Sequence, residues 1–433
     1  MQDKYQKLLF NSSSVFLSFL IYLVPISLIL GPAIPNIIIS FSSIFFIIIS
    51  ILLRLGKYYK NNFFKFFIIF WLFIVFNSFF SEKISVSLWN AITYLRFGIF
   101  AIVIIFALNT NKNFFKYFSY IYIPVFLLLI FDTFFQKIFV YNLFGFYTCW
   151  KFVECSRLSG FFRSEWILGS YIFHFFSLFI ILILWFKFTK FKFKTILIFF
   201  LFFAGVLATY FTGERASFLK MFALSVAFIF ANFNYKKYKK NIIICSVVVT
   251  LILLALISNN GRYNYLSFTH NESPEKNIST LTVYENLYHT AFNMFLDRPV
   301  SGHGNQMFRY KCSNQKYKSG LFYCNNHPHN YYFQLLAENG IVGFCFLITF
   351  FLYLSKVSLR LFISLSNKND FRKASIFLLS SNLLLGLVPF LPSGNFYTSV
   401  SGVFIFTTIG LLYGMKYHKK FSTIKTYDIK AVS

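Results

Sequence analysis

Runs of about 20 mainly apolar residues recur along the chain, parted by short polar stretches. A run of that length with its backbone hydrogen bonds closed internally is a membrane-crossing helix. Twelve spans are expected, near 12–31, 33–53, 66–81, 88–108, 117–138, 167–186, 195–212, 216–233, 242–258, 330–354, 374–392 and 396–415. Composition agrees. The chain is 57% hydrophobic, with a mean hydropathy of +0.64 and 67 Phe. A soluble core cannot use that much apolar surface, so much of it must face lipid. The expected fold is therefore all-α and polytopic, one integral membrane domain over 1–433 with no internal repeat.

A net charge of +28 would suggest nucleic acid in a soluble protein. Here the cations sit in short clusters between apolar runs, at 54–65, 111–116, 187–194, 235–240, 356–373 and from Lys416 onward. With a cytoplasmic N-terminus, these clusters and Lys4 and Lys7 fall on one side, well over half of the 41 Lys and Arg. That is the positive-inside pattern, with both termini cytoplasmic, and no nucleic-acid partner is expected. No small-residue cleavage site follows the first run, which reads as a retained span rather than a signal peptide.

Two exoplasmic segments are long enough to suggest function, 137–165 and 259–329. In the second, Thr282 and Glu285 form a capping-box pattern, and Val283, Leu287, Ala291 and Met294 recur at helical spacing. Arg298-Pro299 ends that helix, and Gly302-His303-Gly304 makes a turn. The helix either lies on the membrane surface or packs on the bundle; the sequence leaves both open. Cys149 and Cys155 share the first segment, and Cys312 and Cys324 the second. They are disulfide candidates, within each loop or between the loops. Their spacing does not support a metal site, so none is expected.

His329 sits where the long loop meets the tenth span, in HPHNYYFQLLAENGIVG at 327–343. Its imidazole can take a proton near neutral pH, or it only anchors the helix end. Asn330 can cap that helix. Asn330, Gln334 and Glu338 recur every four residues, a polar stripe that should face a wet cavity or another helix rather than lipid. His327 and His303 are weaker candidates. Arg215, in ATYFTGERASFL, stands in a short exoplasmic turn, where a guanidinium can grip phosphate bidentately or simply snorkel. Arg157, Arg163 and Glu165 cluster before the sixth span, placed to bind anionic lipid or to pair with one another. Arg96 and Asp132 lie at comparable depth in neighbouring spans, which suggests a structural ion pair. The chain has no phosphate-cradling Gly loop and no ATP domain, so its reaction must draw on an activated substrate.

Four motifs in order resemble the O-antigen ligase and O-antigen polymerase superfamily. In the His motif, His329 and Asn330 are followed by nine residues and Gly340. TGERASFL carries the small-residue-then-Arg motif. RLSGFFRSEWILGSY is similar to a motif of polymerase-like members. DRPVSGHGNQMF resembles the Pro-x-x-Gly-x-Gly segment that precedes the His motif. The resemblance implies a bacterial inner-membrane enzyme with a periplasmic active site, which moves a glycan from undecaprenyl diphosphate to an acceptor without metal, nucleotide or other cofactor. The acceptor is the lipid A core for a ligase, or a second carrier-linked glycan for a polymerase; protein is a third option. His329 and Arg215 would be catalytic, with the carrier lipid entering laterally between spans. Asn330, Arg157, Arg163, Glu165, Arg298, Arg309, Gln334 and Glu338 are the candidate substrate-binding residues. One departure concerns a second essential Arg of many members, which aligns with Tyr284 before Tyr288 here; Arg262, Arg298 or Arg309, or Arg157 or Arg163 from the other loop, are the candidate substitutes. A polyprenyl-glycan flippase is the competing class, and would place its charges near the midplane in both halves.

Overall fold

The computed structural model describes residues 2–147, 157–163, 165–186, 191–232, 280–365 and 370–417. Its helices are α1 (Gln2–Ile29), α2 (Ala33–Leu52), α3 (Asn62–Ser78), α4 (Ile84–Thr110), α5 (Phe114–Phe139), α6 (Leu168–Trp185), α7 (Phe191–Phe211), α8 (Arg215–Asn232), α9 (Thr280–Asp297), α10 (Phe308–Lys311), α11 (Tyr331–Leu365), α12 (Phe371–Gly386) and α13 (Ser399–Tyr417). They overlap eleven of the expected spans; the one at 242–258 lies outside the described residues. Among the described residues, seven helices are long and apolar enough to cross a membrane: α1, α2, α4, α5, α6, α11 and α13. By the same measure α3 and the apolar part of α7 are shorter. α12 has only 16 residues, and α8 carries Arg215 and Lys220. The protein is a multi-pass membrane protein.

The core forms where Phe-rich helices meet small residues. α4 and α13 pack along their lengths, with Gly402, Gly410 and Gly414 against Phe97, Ile104 and Leu108. A side chain at any of the three glycines would press on those groups, so their absence lets the two helices approach closely. Phe97, Phe100 and Phe106 of α4 and Phe173, Phe175 and Phe176 of α6 are fully buried. The periphery is the reverse. Ile37, Phe41, Ile44, Ile48 and Ile51 form an exposed apolar stripe along α2, a surface suited to lipid.

Polar connections gather at one end of the bundle. Arg298 donates to the Phe80 carbonyl after α3 (3.0 Å), and Gln306 to Asn90 near the start of α4 (2.9 Å). The Leu158 N–H meets the Thr212 carbonyl after α7 (3.3 Å), and the Ser393 N–H meets the His329 carbonyl before α11 (2.8 Å). The opposite end carries Lys57 and Lys60 before α3, Lys112 before α5, and Arg372, whose Nε donates to the Met415 carbonyl (3.1 Å).

α9 answers a question the sequence left open. Leu287, Ala291 and Met294 are buried against Phe308, Cys312, Tyr317 and Ala337, so the helix packs on α10 and α11. It ends at Asp297, as the Arg298-Pro299 pair requires. α11 is not continuous. Gly340 has φ 62° and ψ −160°, a conformation open essentially to Gly alone. The backbone groups freed by this break find partners on the 299–304 segment. His303 N–H meets Ala337 C=O (3.1 Å), Gly304 N–H meets Glu338 C=O (2.8 Å), and Ile341 N–H meets Pro299 C=O (2.8 Å). A methyl on Gly340 would overlap the Val300 carbonyl, and one on Gly302 the backbone of Glu338 and Asn339. The Pro-x-x-Gly-x-Gly segment and the glycine of the His motif are thus two halves of one junction.

Candidate functional site

The site builds outward from the start of α11. Asn330 caps it, its Oδ1 accepting from the Tyr332 N–H (2.9 Å) and its Nδ2 donating to the Pro389 carbonyl (2.6 Å). His329 precedes it at φ 56°, the left-handed region that a histidine rarely occupies. Ser393 clamps that turn. Its N–H holds the His329 carbonyl, and its Oγ accepts from the Tyr331 N–H (2.9 Å). Such strain, held by surrounding bonds, marks functional positions. The His329 ring meets Tyr284 edge-on at 5.7 Å and the His327 ring at 4.1 Å, and its Nε2 is 3.3 Å from the Asn325 amide. Burial, then the charge of Arg157, lower its pKa below the ordinary 6.5. The imidazole is therefore neutral near pH 7 and free to accept a proton.

The polar stripe of α11 is buried and engaged within the protein. Gln334 donates to Glu338 (3.1 Å) and Asn395 (2.9 Å) and accepts from the Phe396 N–H (2.9 Å). Glu338 accepts from the Phe308 N–H (3.0 Å). These bonds lock α10 and the α12–α13 connection onto α11.

Arg215 opens α8, which packs on α11 and α12. Five residues on, Lys220 donates to the Pro392 carbonyl (3.4 Å), beside the serine that clamps His329. Sequence reading missed the residue before Arg215. The Glu214 carboxylate accepts from Gly169 N–H (2.7 Å), Ser170 N–H (3.0 Å), Ser170 Oγ (2.7 Å) and Ser217 Oγ (3.0 Å). It thereby satisfies the first-turn amides of α6 from another part of the chain. Burial raises its pKa against the pull of these bonds and of Arg157. A carboxylate next to an Arg in so short a turn was the available signal. Ser393 was missed too, with only the polar PSGN turn to suggest it.

The other candidates divide. Arg157 lies over Trp166 (5.4 Å to the ring) and acts electrostatically on both His329 and Glu214. Arg309 acts likewise on His327 and Glu338. Arg163 packs instead over Phe146 (5.3 Å), and Glu165 is exposed, lining a pocket with Leu28, Pro32 and Phe162. Arg298 lies at the α3–α4 turn near Glu82, whose pKa is lowered first by its bond to Lys311 and only then by the charge of Arg298; Arg262 lies outside the described residues. Cys312 and Cys324 form a disulfide, a pairing within the long loop; Cys149 and Cys155 lie outside the described residues. The expected Arg96–Asp132 ion pair is not formed. Arg96 donates to Asn36 (3.1 Å), and Asp132 accepts from the Leu143 N–H (2.8 Å). Each side chain has a partner elsewhere: Asn36 stands in the first turn of α2, and Leu143 in the segment that follows α5. Among the described residues no three His, Cys, Asp or Glu groups converge as metal ligands.

Residues 197–348 match the family model described as O-antigen ligase. The similarity to the O-antigen ligase superfamily is carried by that segment, about a third of the chain. The matched stretch includes Arg215, the Pro-x-x-Gly-x-Gly segment, His329 and Gly340; Arg157 lies before it. No curated protein matches the chain. Members of that superfamily are membrane enzymes of the glycosyltransferase type.

Proposed function

We propose that this enzyme transfers an oligo- or polysaccharide from undecaprenyl diphosphate to a hydroxyl of the lipid A core, at the periplasmic face of the bacterial inner membrane, with both termini cytoplasmic. One observation carries the reading: within the family-matched segment, a strained, neutral His329 stands in the field of a guanidinium at the polar end of the bundle. In the scheme, His329 takes the proton of the acceptor hydroxyl. The freed oxygen pair forms a bond to the anomeric carbon. The bond from that carbon to the diphosphate oxygen breaks, and its electron pair leaves with the diphosphate. Attack opposite the leaving group inverts the carbon. Arg215 meets the charge developing on the diphosphate, and Arg157 supports it. The proton on His329 then passes to the departing diphosphate or to water. Asn330, Gln334 and Glu338 act by holding the start of α11 in place. Arg163, Glu165 and Arg298 lie at the same end and serve approach of the anionic carrier. This scheme needs no metal, because guanidinium groups supply the positive charge.

The polymerase reading is favoured by one feature, the proximity of the polymerase-like segment at Arg157 to His329. A flippase would need its ionisable groups along a central path, whereas the candidate site residues His329, Arg215 and Arg157 stand at or just outside helix ends. The test is deletion of the gene in its host, with lipopolysaccharide resolved on a gel. Bare core with long carrier-linked chains accumulating identifies a ligase; core bearing a single repeat identifies a polymerase. Complementation with His329→Ala should fail, and restored glycan would refute the catalytic role of His329.

A further inference from the structure

We infer that Arg309 and His327 form a second anion site beside His329, which takes a phosphate carried by the acceptor. This rests on the reading above and extends it to the acceptor's chemistry.

The site is visible as missing partners. The Nε of Arg309 and the Nε2 of His327 are both buried and have no hydrogen-bond partner. A guanidinium N–H can only donate, and buried donors without an acceptor are rare and costly. A phosphate oxygen is the acceptor that suits a guanidinium and an imidazole N–H together. The two residues are also tethered to each other. The Cys312–Cys324 disulfide, with Cα atoms 5.0 Å apart, fastens the end of α10 to the segment leading into α11. Arg309 lies three residues before Cys312, and His327 three after Cys324. The Phe308 N–H bond to Glu338 seats α10 on α11. Glu338 is the acid that faces Arg309, but its oxygens are engaged by Phe308 and Gln334, and it makes no ion pair with Arg309. Burial, His329 and Arg309 push the His327 imidazole down to about 3, so it stays neutral and donates through one ring nitrogen.

Stereochemistry assigns this site to the acceptor. In an inverting displacement the incoming hydroxyl and the leaving diphosphate stand on opposite sides of the anomeric carbon. Groups tethered to the base belong with the incoming hydroxyl. His327 is two residues from His329, and their rings are 4.1 Å apart. Arg215, on α8, belongs to the other side. A second phosphate also needs its own cation, because two diphosphates at one site would repel. The phosphate is that of a second carrier-linked glycan or one on a phosphorylated lipid A core.

The test uses the purified full-length protein in lipid nanodiscs, with a synthetic polyprenyl diphosphate glycan as donor. Three acceptors are compared: a carrier-linked glycan, a phosphorylated core lipid, and the same core lipid after phosphatase treatment. R309Q should raise KM for the phosphate-bearing acceptor on the order of tenfold. R309K should raise it less, and H327Q should act in the same direction as R309Q. The donor KM and transfer to the dephosphorylated acceptor should not change. Elution as a monodisperse species with the disulfide intact controls for folding; if R309Q fails this, R309K and H327Q carry the test. An unchanged acceptor KM, or an equal rise for donor and acceptor, overturns the inference while leaving the proposed function standing. A wild-type protein that transfers nothing from a diphosphate donor overturns both. The acceptor that shows the effect identifies the source of the phosphate.

Discussion

Replacing Glu214 separates a structural carboxylate from a dispensable one. Glu214→Ala removes four accepted hydrogen bonds at 2.7–3.0 Å. The two hydroxyls can recover, because Ser170 Oγ and Ser217 Oγ are 3.1 Å apart and can bond each other. The amides of Gly169 and Ser170 cannot, since they open α6 and have no carbonyl below them. In a partly buried setting each orphaned amide costs about 1–2 kcal/mol, so Glu214→Ala should cost about 2–4 kcal/mol. Glu214→Gln keeps an oxygen for the three bonds on the Oε2 side but turns an amide donor toward Gly169 N–H. It should cost about 1–2 kcal/mol, the value of one lost bond. The assay is denaturation in mixed micelles, followed by circular dichroism across pH. Burial raises the Glu214 pKa above its ordinary 4.5, so its contribution is fully present below 4.5 and is lost as pH rises through the folded value. Glu214→Gln should remove that pH dependence. Equal shifts for Ala and Gln, or an Ala variant within 1 kcal/mol of wild type (below the range just estimated), would show that the carboxylate does not hold α6.

Three further outcomes are expected. The acid limb of kcat/KM, which reports the free enzyme, should lie below pH 6.5, because burial and then Arg157 hold the His329 pKa down; Arg157→Gln should move it upward without reaching 6.5, and a wild-type limb at or above 6.5 refutes the assignment. Replacing Cys312 and Cys324 with Ser, which opens a bridge spanning 12 residues, should lower stability by about 3 kcal/mol and raise the acceptor KM more than the donor KM, measured by denaturation and steady-state kinetics. Gly340→Ala should destabilise by about 3 kcal/mol or more, because the backbone there excludes a side chain and Val300 occupies the space; a denaturation midpoint like that of wild type would contradict the broken-helix account.

The helices were legible because an apolar run in a membrane has few other options. α9 was legible for a different reason: its periodicity and its Pro stop agree on one element, although it starts at Thr280 and so places Thr282, the expected cap, inside the helix. The site was legible only in part. His329 and Asn330 announce themselves where a polar segment enters a helix. The partners of the α11 stripe do not, because Gln334 bonds Asn395, 61 residues away, and Glu338 bonds Phe308, 30 residues before it. Glu214 was missed for the same reason, since the amides it satisfies lie 44 and 45 residues upstream. The Arg96–Asp132 pairing failed because depth fixes only one coordinate of a side chain on a helix. Rotation about the axis and the nearest free amide decide the rest, and for Asp132 that amide belongs to Leu143.

The break at Gly340 also divides α11 mechanically. The limb from Tyr331 to Asn339 is bonded to the 299–308 segment and the α12–α13 connection, while the limb beyond exposes Leu352, Leu359 and Ile363 to lipid. An unbroken helix would carry any tilt imposed by the bilayer straight to the imidazole at its end. Here the lipid-facing limb can lean with membrane thickness while the upper limb stays docked on its loops. Turnover should therefore change little between bilayers of short and long acyl chains, because the bilayer acts on the lower limb and the imidazole is held by the upper one.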